Sequence, residues 1–112
     1  MLDVRIAVAQ MTSVVGDTAT NLGRIRRLVG QACDEDVDIL CLPELCINGY
    51  NAGDNDHPAA EDLDGPSVRV LCDLGKQTGL TFLAGLLERD VSGIVFNTQI
   101  VFGPDGVQGH YR

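Results

Sequence analysis

The residues of this chain whose types and spacing could do chemistry lie between Asp38 and Tyr50. Ile39, Leu40, Cys41 and Leu42 form an apolar run, Pro43 follows, Glu44 is a solitary carboxylate, and Asn48 and Gly49 signal a turn. An unbroken apolar run bounded by turn residues reads as a strand covered on both faces, and in such sheets ligands sit beyond the carboxyl ends of the strands. Glu44 falls there. Pro43 halts the ladder and leaves a fixed site just outside the sheet. A carboxylate at the edge of an apolar strand is expected to be partly desolvated, which suits it to general-base work. The same position also fits a carboxylate that pairs with an arginine or caps backbone amides.

Cys46 invites a reading as a nucleophile beside that acid. Catalytic cysteines, however, want an electropositive setting that lowers the thiol pKa, and a neighbouring carboxylate does the opposite. His57 lies in an acidic loop and His110 near the end of the chain, and both read as solvated or hydrogen-bonded rather than catalytic. Asp54, Asn55, Asp56, Glu61, Asp62 and Asp64 supply oxygen ligands but lack the alternate spacing and central glycine of an EF-hand loop, which favours a solvated acidic loop. Gly103 to Gly106 reads as a tight turn between strands, with no lysine after it to make a phosphate-binding loop.

The elements that must position Glu44 follow from periodicity. Val4, Ile6 and Val8, with Ala7 and Ala9 between them, read as a first strand covered on both sides, with Arg5 its one charge. After a turn at Gly16 and Asp17, the residues Leu22, Ile25, Leu28, Val29 and Ala32 recur at helical spacing, with Asp17 or Thr18 as the cap. The acidic patch Asp34 to Asp36 ends that helix, and the next strand carries Ile39 to Leu42. A strand–helix–strand unit implies a parallel pair with a right-handed crossover and brings Met11 and Glu44 to the same edge of the sheet.

From Tyr50 to Gly65 there is no periodicity, and a long acidic surface loop is expected. A second helix should begin near Pro66, bury Val68, Leu71, Cys72 and Gly75, and stop at Gly79. Leu80 to Leu87 reads as a third strand, Arg89 to Gly93 as a hairpin connection, Ile94 to Phe102 as a fourth strand, and a last strand starts at Val107. The fold class is α/β, a mixed sheet with two helices on one face.

At 112 residues the chain is one domain at most. Eight Lys and Arg against sixteen Asp and Glu give a net charge of −8, which opposes binding to nucleic acid or to anionic membrane surfaces. No apolar run approaches the roughly 20 residues of a membrane span, and Met1 to Asp3 lead into a strand pattern, so the expected compartment is the cytosol. The four cysteines Cys33, Cys41, Cys46 and Cys72 read as reduced, buried small hydrophobes, because their spacings fit no zinc site.

Taken in order, several short matches resemble the N-terminal part of a nitrilase-superfamily carbon–nitrogen hydrolase, and they span nearly the whole chain. They are Val8, Ala9 and Gln10; Gly16, Asp17 and Asn21; above all Leu42, Pro43, Glu44 and Leu45 with Gly49 and Tyr50; Gly85; Phe96, Asn97 and Thr98; Pro104, Asp105 and Gly106; and Tyr111 with Arg112. The resemblance implies an α-β-β-α sandwich of which residues 1–112 are one partial domain. It implies a Glu-Lys-Cys mechanism on a small-molecule amide, nitrile or carbamoyl substrate, with no metal and no organic cofactor. Glu44 then resembles the general base.

The family's lysine follows directly after a Tyr-Arg pair and its nucleophilic cysteine belongs to a later motif, so none of the four cysteines matches it and the chain is expected to be inactive alone. A sheet cut at this point exposes an edge and apolar surface, which predicts a homo-oligomer or association through the cut sheet. The alternative reading is a non-catalytic α/β module that uses that surface to associate. The loop from Gly53 to Asp64 hints at a cationic substrate or a charged lid, and equally at a solvated face.

Overall fold

A computed structural model describes residues 2–50 and 57–112. The element order is β1 (Ile6–Val8), α1 (Thr18–Asp34), β2 (Ile39–Cys41), α2 (Pro66–Thr78), β3 (Thr81–Arg89), β4 (Val95–Gly103) and β5 (Gly106–Tyr111). The five strands form one sheet in the order β1-β2-β3-β4-β5. β1, β2 and β3 run parallel, whereas β3, β4 and β5 pair antiparallel, so the sheet is mixed as expected.

Asp17 caps α1 by accepting a hydrogen bond from the Thr20 amide at 3.0 Å. The residues at helical spacing, Asn21, Ile25, Val29 and Ala32, are its buried ones. Pro66 opens α2 and Gly79 closes it with an amide hydrogen bond to the Gly75 carbonyl at 2.8 Å. Ile25 and Val29 of α1 and Val68, Leu71 and Leu74 of α2 share one core with Leu40, Phe82, Ala84, Leu86, Ile100 and Phe102. Phe82 and Phe102, opposite each other on β3 and β4, stack with ring centroids 5.1 Å apart. Both helices therefore cover one face of the sheet.

The other face corrects an expectation. The first two strands were read as covered on both sides, yet Ile6 and Val8 are 61% and 78% exposed, and Ile39, Cys41, Leu83 and Val101 are only half-buried. Register explains this: Val8, Cys41, Leu83 and Val101 lie in one row across four strands, on the side that carries no helix. Helix α2 buries Leu74 rather than Cys72, which is half-buried. Of the four cysteines, read as buried, only Cys46 is fully so, and all four are free thiols. Strand boundaries shift by a residue or two, with Arg89 inside β3 and Gly106 beginning β5.

Candidate active site

Parallel pairing brings Val8 opposite Cys41, and the Ala9 amide donates to the Cys41 carbonyl at 3.0 Å, so the chains beyond β1 and β2 leave the same edge of the sheet. Met11 and Glu44 both lie on those continuations. The Leu42 amide still reaches the Leu83 carbonyl at 2.9 Å, Pro43 ends the ladder, and residues 44–48 form a turn. Leu45, directly after Glu44, has φ of +50°, a left-handed conformation that a branched side chain adopts only when its surroundings enforce it.

Those surroundings are dense. The Ile47 amide donates to the Gly85 carbonyl at 3.0 Å, and the Gly85 amide to Cys46 Sγ at 3.4 Å. Ser13 Oγ donates to the Cys46 carbonyl at 3.0 Å, and Asn21 Nδ2 to the Ile47 carbonyl at 3.0 Å. Asn48, buried, donates to the Ala59 carbonyl at 2.6 Å and accepts from the Leu87 amide at 2.7 Å. Gly85 is a glycine because nothing larger fits: a Cβ there would lie 2.2 Å from the Leu45 nitrogen and 2.9 Å from the Glu44 carbonyl carbon. The backbone bearing Glu44 is thus pressed against β3 and bonded residue by residue.

The Glu44 side chain is exposed in this chain, which corrects the expectation of partial desolvation. Its hydrogen-bond partner is on the face that carries no helix. There Asn97 Nδ2 donates to Glu44 Oε1, and Gln99 Nε2 donates to the Leu42 carbonyl at 3.3 Å. Asn97 and Gln99 are residues that sequence reasoning did not assign to the site. Their signal was two amide side chains at alternate positions of an otherwise apolar strand, hence on one face.

Cys46 lies two residues from Glu44 but inside the core, and burial pushes its thiol up to about 11 despite the amide hydrogen bond from Gly85. It is a packing residue. His57 is half-buried and contributes its carbonyl to Arg89 Nη2 at 2.9 Å, while His110 is exposed on β5. In the acidic loop, Asp54, Asn55 and Asp56 lie outside the described residues. Glu61 accepts from the Ser67 amide at the start of α2 at 3.1 Å, Asp62 accepts from the Asp64 amide at 2.7 Å, and Asp64 pairs with Arg69 at 3.2 Å. Among the described residues no group of three His, Cys, Asp or Glu side chains could hold a metal ion, and no helix is long and apolar enough to cross a membrane.

One further ionic group, missed from the sequence, stands on the helix side. Glu88 of β3 is 2% exposed and accepts from Arg112 Nη2 at 2.7 Å, Arg112 Nε at 3.0 Å and Thr98 Oγ1 at 2.6 Å. The Arg112 guanidinium also lies 4.0 Å over the Phe96 ring. Arg112 holds the Glu88 carboxyl below the usual glutamate range, with Thr98 assisting and burial opposing.

A mixed sheet with two helices on one face, and a glutamate fixed beyond the end of its second parallel strand, is the frame of a carbon–nitrogen hydrolase. The sequence matches that family over residues 5–112, and the chain belongs to it. It is 35% identical over 106 residues to an omega-amidase of Danio rerio, covering 95% of this chain and 38% of the relative. To a nitrilase of Pyrococcus abyssi it is 29% identical over 112 residues, covering 97% of this chain and 42% of the relative. A crystal structure of a CN-hydrolase superfamily protein from Xanthomonas campestris superposes with a TM-score of 0.84 at 28% identity, over 99% of this chain and 40% of that one. The chain thus spans about two-fifths of the length of these relatives.

Proposed function

We propose that residues 1–112 are a partial domain, the glutamate-bearing N-terminal part of a hydrolase that cleaves non-peptide C–N bonds of small amides, nitriles or carbamoyl compounds, with Glu44 as general base. The observation that carries this is Glu44 itself, fixed beyond β2 on a fully tethered turn and hydrogen-bonded by Asn97. In the family mechanism the carboxylate takes the proton of a cysteine thiol and the sulfur attacks the substrate carbon. For an amide, the protonated carboxyl returns that proton to the nitrogen as the C–N bond breaks and the amine leaves; for a nitrile, it passes the proton to the nitrogen as sulfur adds to give a thioimidate, and in both cases it is again a carboxylate. The same carboxylate then takes a proton from the water that cleaves the thioester or thioimidate.

The lysine and cysteine of that mechanism match no residue here, so the 112-residue chain is inactive alone. The cytosol is the proposed compartment, consistent with four free thiols. In a full-length hydrolase, Glu44→Gln should lower turnover of an amide substrate by roughly 10²–10⁴-fold, the ordinary contribution of a positioned base. Retained turnover in that variant would remove the base assignment. Amide or nitrile turnover by the 112-residue chain would refute its inactivity.

A second reading, a non-catalytic module associating through its open sheet face, is favoured by one observation, the exposed Ile6 and Val8 of β1 on the face that carries no helix. Sizing separates the two: a monomer at high concentration counts against association.

A further inference from the structure

The Glu44 side chain meets a strand that is not next to its own. β2 pairs with β3 and β3 with β4, yet the donor to Glu44 Oε1 is Asn97 of β4. The register shows how the intervening strand is crossed. Gly85 stands opposite Gln99 and Leu87 opposite Asn97, and alternation puts all four on the face that carries no helix. A Cβ at Gly85 would meet the Leu45 nitrogen, the Glu44 carbonyl carbon and Gln99 Oε1, so the Glu44–Leu45 peptide lies directly on β3 at that strand's only glycine. From there β4 holds the segment at two points. Gln99 Nε2 donates to the Leu42 carbonyl at 3.3 Å, just ahead of Pro43, and Asn97 Nδ2 donates to the carboxylate itself.

Stability does not explain Asn97. It is exposed, as is Glu44, and a hydrogen bond between exposed groups contributes little to folding because water competes for both. Asparagine is also depleted in strands, and a residue that breaks a local rule without a stabilising gain marks a functional position. Its own strand is fixed: Thr98, the next residue, is buried on the opposite face and donates to Glu88 at 2.6 Å. Among the described residues the Glu44 carboxylate accepts from Asn97 alone, and at one oxygen. We propose that Asn97 is a positioning residue that acts through Glu44: it holds Oε1 and so presents Oε2 as the oxygen that takes the proton. The amide is neutral and donates without exchanging a proton, so it sets the direction of the carboxylate and leaves the proton chemistry to Oε2. The proposal rests on the reading of Glu44 as base.

The test uses a full-length hydrolase carrying this segment, assayed on an amide substrate. Asn97→Ala should lower kcat by roughly 10²-fold with KM changed less than about twofold, since a displacement near 1 Å beside reacting atoms costs that much in rate. Asn97→Asp keeps the size, loses the donor and should show the same split, so it carries the test where Asn97→Ala does not fold. The acid limb of its kcat/KM profile should also move to higher pH, because a second carboxylate beside the first disfavours ionisation. Action through Glu44 further predicts coupling: in a Glu44→Gln background, Asn97→Ala should cost less than about threefold in kcat. A folded Asn97→Ala with kcat within about threefold of the parent, or an undiminished effect of that substitution in the Glu44→Gln background, would overturn the proposal. Glu44→Gln alone separates the two ideas: if it sharply lowers turnover while Asn97→Ala leaves kcat intact, only the positioning role fails; if it leaves turnover intact, the base reading fails and takes this proposal with it.

Discussion

Gly85→Ala tests the claim that β3 dictates where the Glu44 backbone lies. The new methyl would sit 2.2 Å from the Leu45 nitrogen, 2.9 Å from the Glu44 carbonyl carbon and 3.0 Å from Gln99 Oε1. Two of these three are backbone atoms, which have no alternative rotamer to retreat to. Reaching even a 3.0 Å separation from the Leu45 nitrogen requires a relative shift of about 0.8 Å, the difference from the 2.2 Å of the unrelaxed position. That shift pulls directly on the Ile47 amide bond to the Gly85 carbonyl and on the Gly85 amide bond to Cys46. Overpacking costs about 1–3 kcal/mol and each of the two weakened hydrogen bonds about 1 kcal/mol more, so roughly 3–5 kcal/mol is expected in all. With an m-value near 1.5 kcal/mol/M, the urea midpoint should fall by roughly 2–3 M. Urea unfolding of the parent and variant chains reads this directly, and the chemical shifts of the Asn97 side-chain amide should move with Glu44. A midpoint lowered by less than about 0.3 M, with the Asn97 resonances unmoved, would show that the turn is not pressed against β3.

Three other outcomes follow from described contacts. Arg112 depresses the Glu88 pKa, so the pair contributes stability that is present above the unfolded value of about 4.3 and lost as pH falls through the lower folded value. The stability gap between the parent and Glu88→Gln should therefore be widest near neutral pH and narrow below about pH 4, read from urea midpoints across that range. Because burial raises the Cys46 thiol to about 11, brief alkylation of the native chain at pH 8 should label Cys33, Cys41 and Cys72 before Cys46, as peptide mass spectrometry would show. Asn21→Ala strips a fully buried amide that bonds the Val14 amide, the Val14 carbonyl and the Ile47 carbonyl; it should cost about 3 kcal/mol by the same unfolding assay.

The helices were legible because their signals are local. Asp17 as cap, the three- and four-residue recurrence from Leu22 to Ala32, and the Pro66 and Gly79 punctuation each act within a turn or two of backbone. The turn at Pro104 and Asp105 and the strand that ends near Phe102 were equally readable. Which faces of β1 and β2 are covered was not. An apolar run says only that a strand can be buried on both sides, and Ile6 and Val8 carry that capacity without meeting it in this chain. At the site, Glu44 could be found because it follows its strand directly in sequence. Asn97 lies 53 residues away and Arg112 lies 24 from Glu88, and only the pairing of β3 with β4 and β5 brings those partners together. The exposure of Glu44 was misread because desolvation depends on what stands over the sheet, which no local pattern encodes.

The strand order of the sheet is also the order in which a ribosome makes the strands. Each strand pairs with its predecessor, so the layer can grow from one end during synthesis without holding a gap open for a later insertion. The two parallel steps, the slow ones because a helix must be closed into each crossover, come first, and the quick hairpins come last. Glu44 leaves the ribosome well before Gly85 and Asn97, and the left-handed twist at Leu45 gains its support only when β3 and then β4 arrive. Glu44 is thus set in place by the strands made after it, late in the synthesis of the layer.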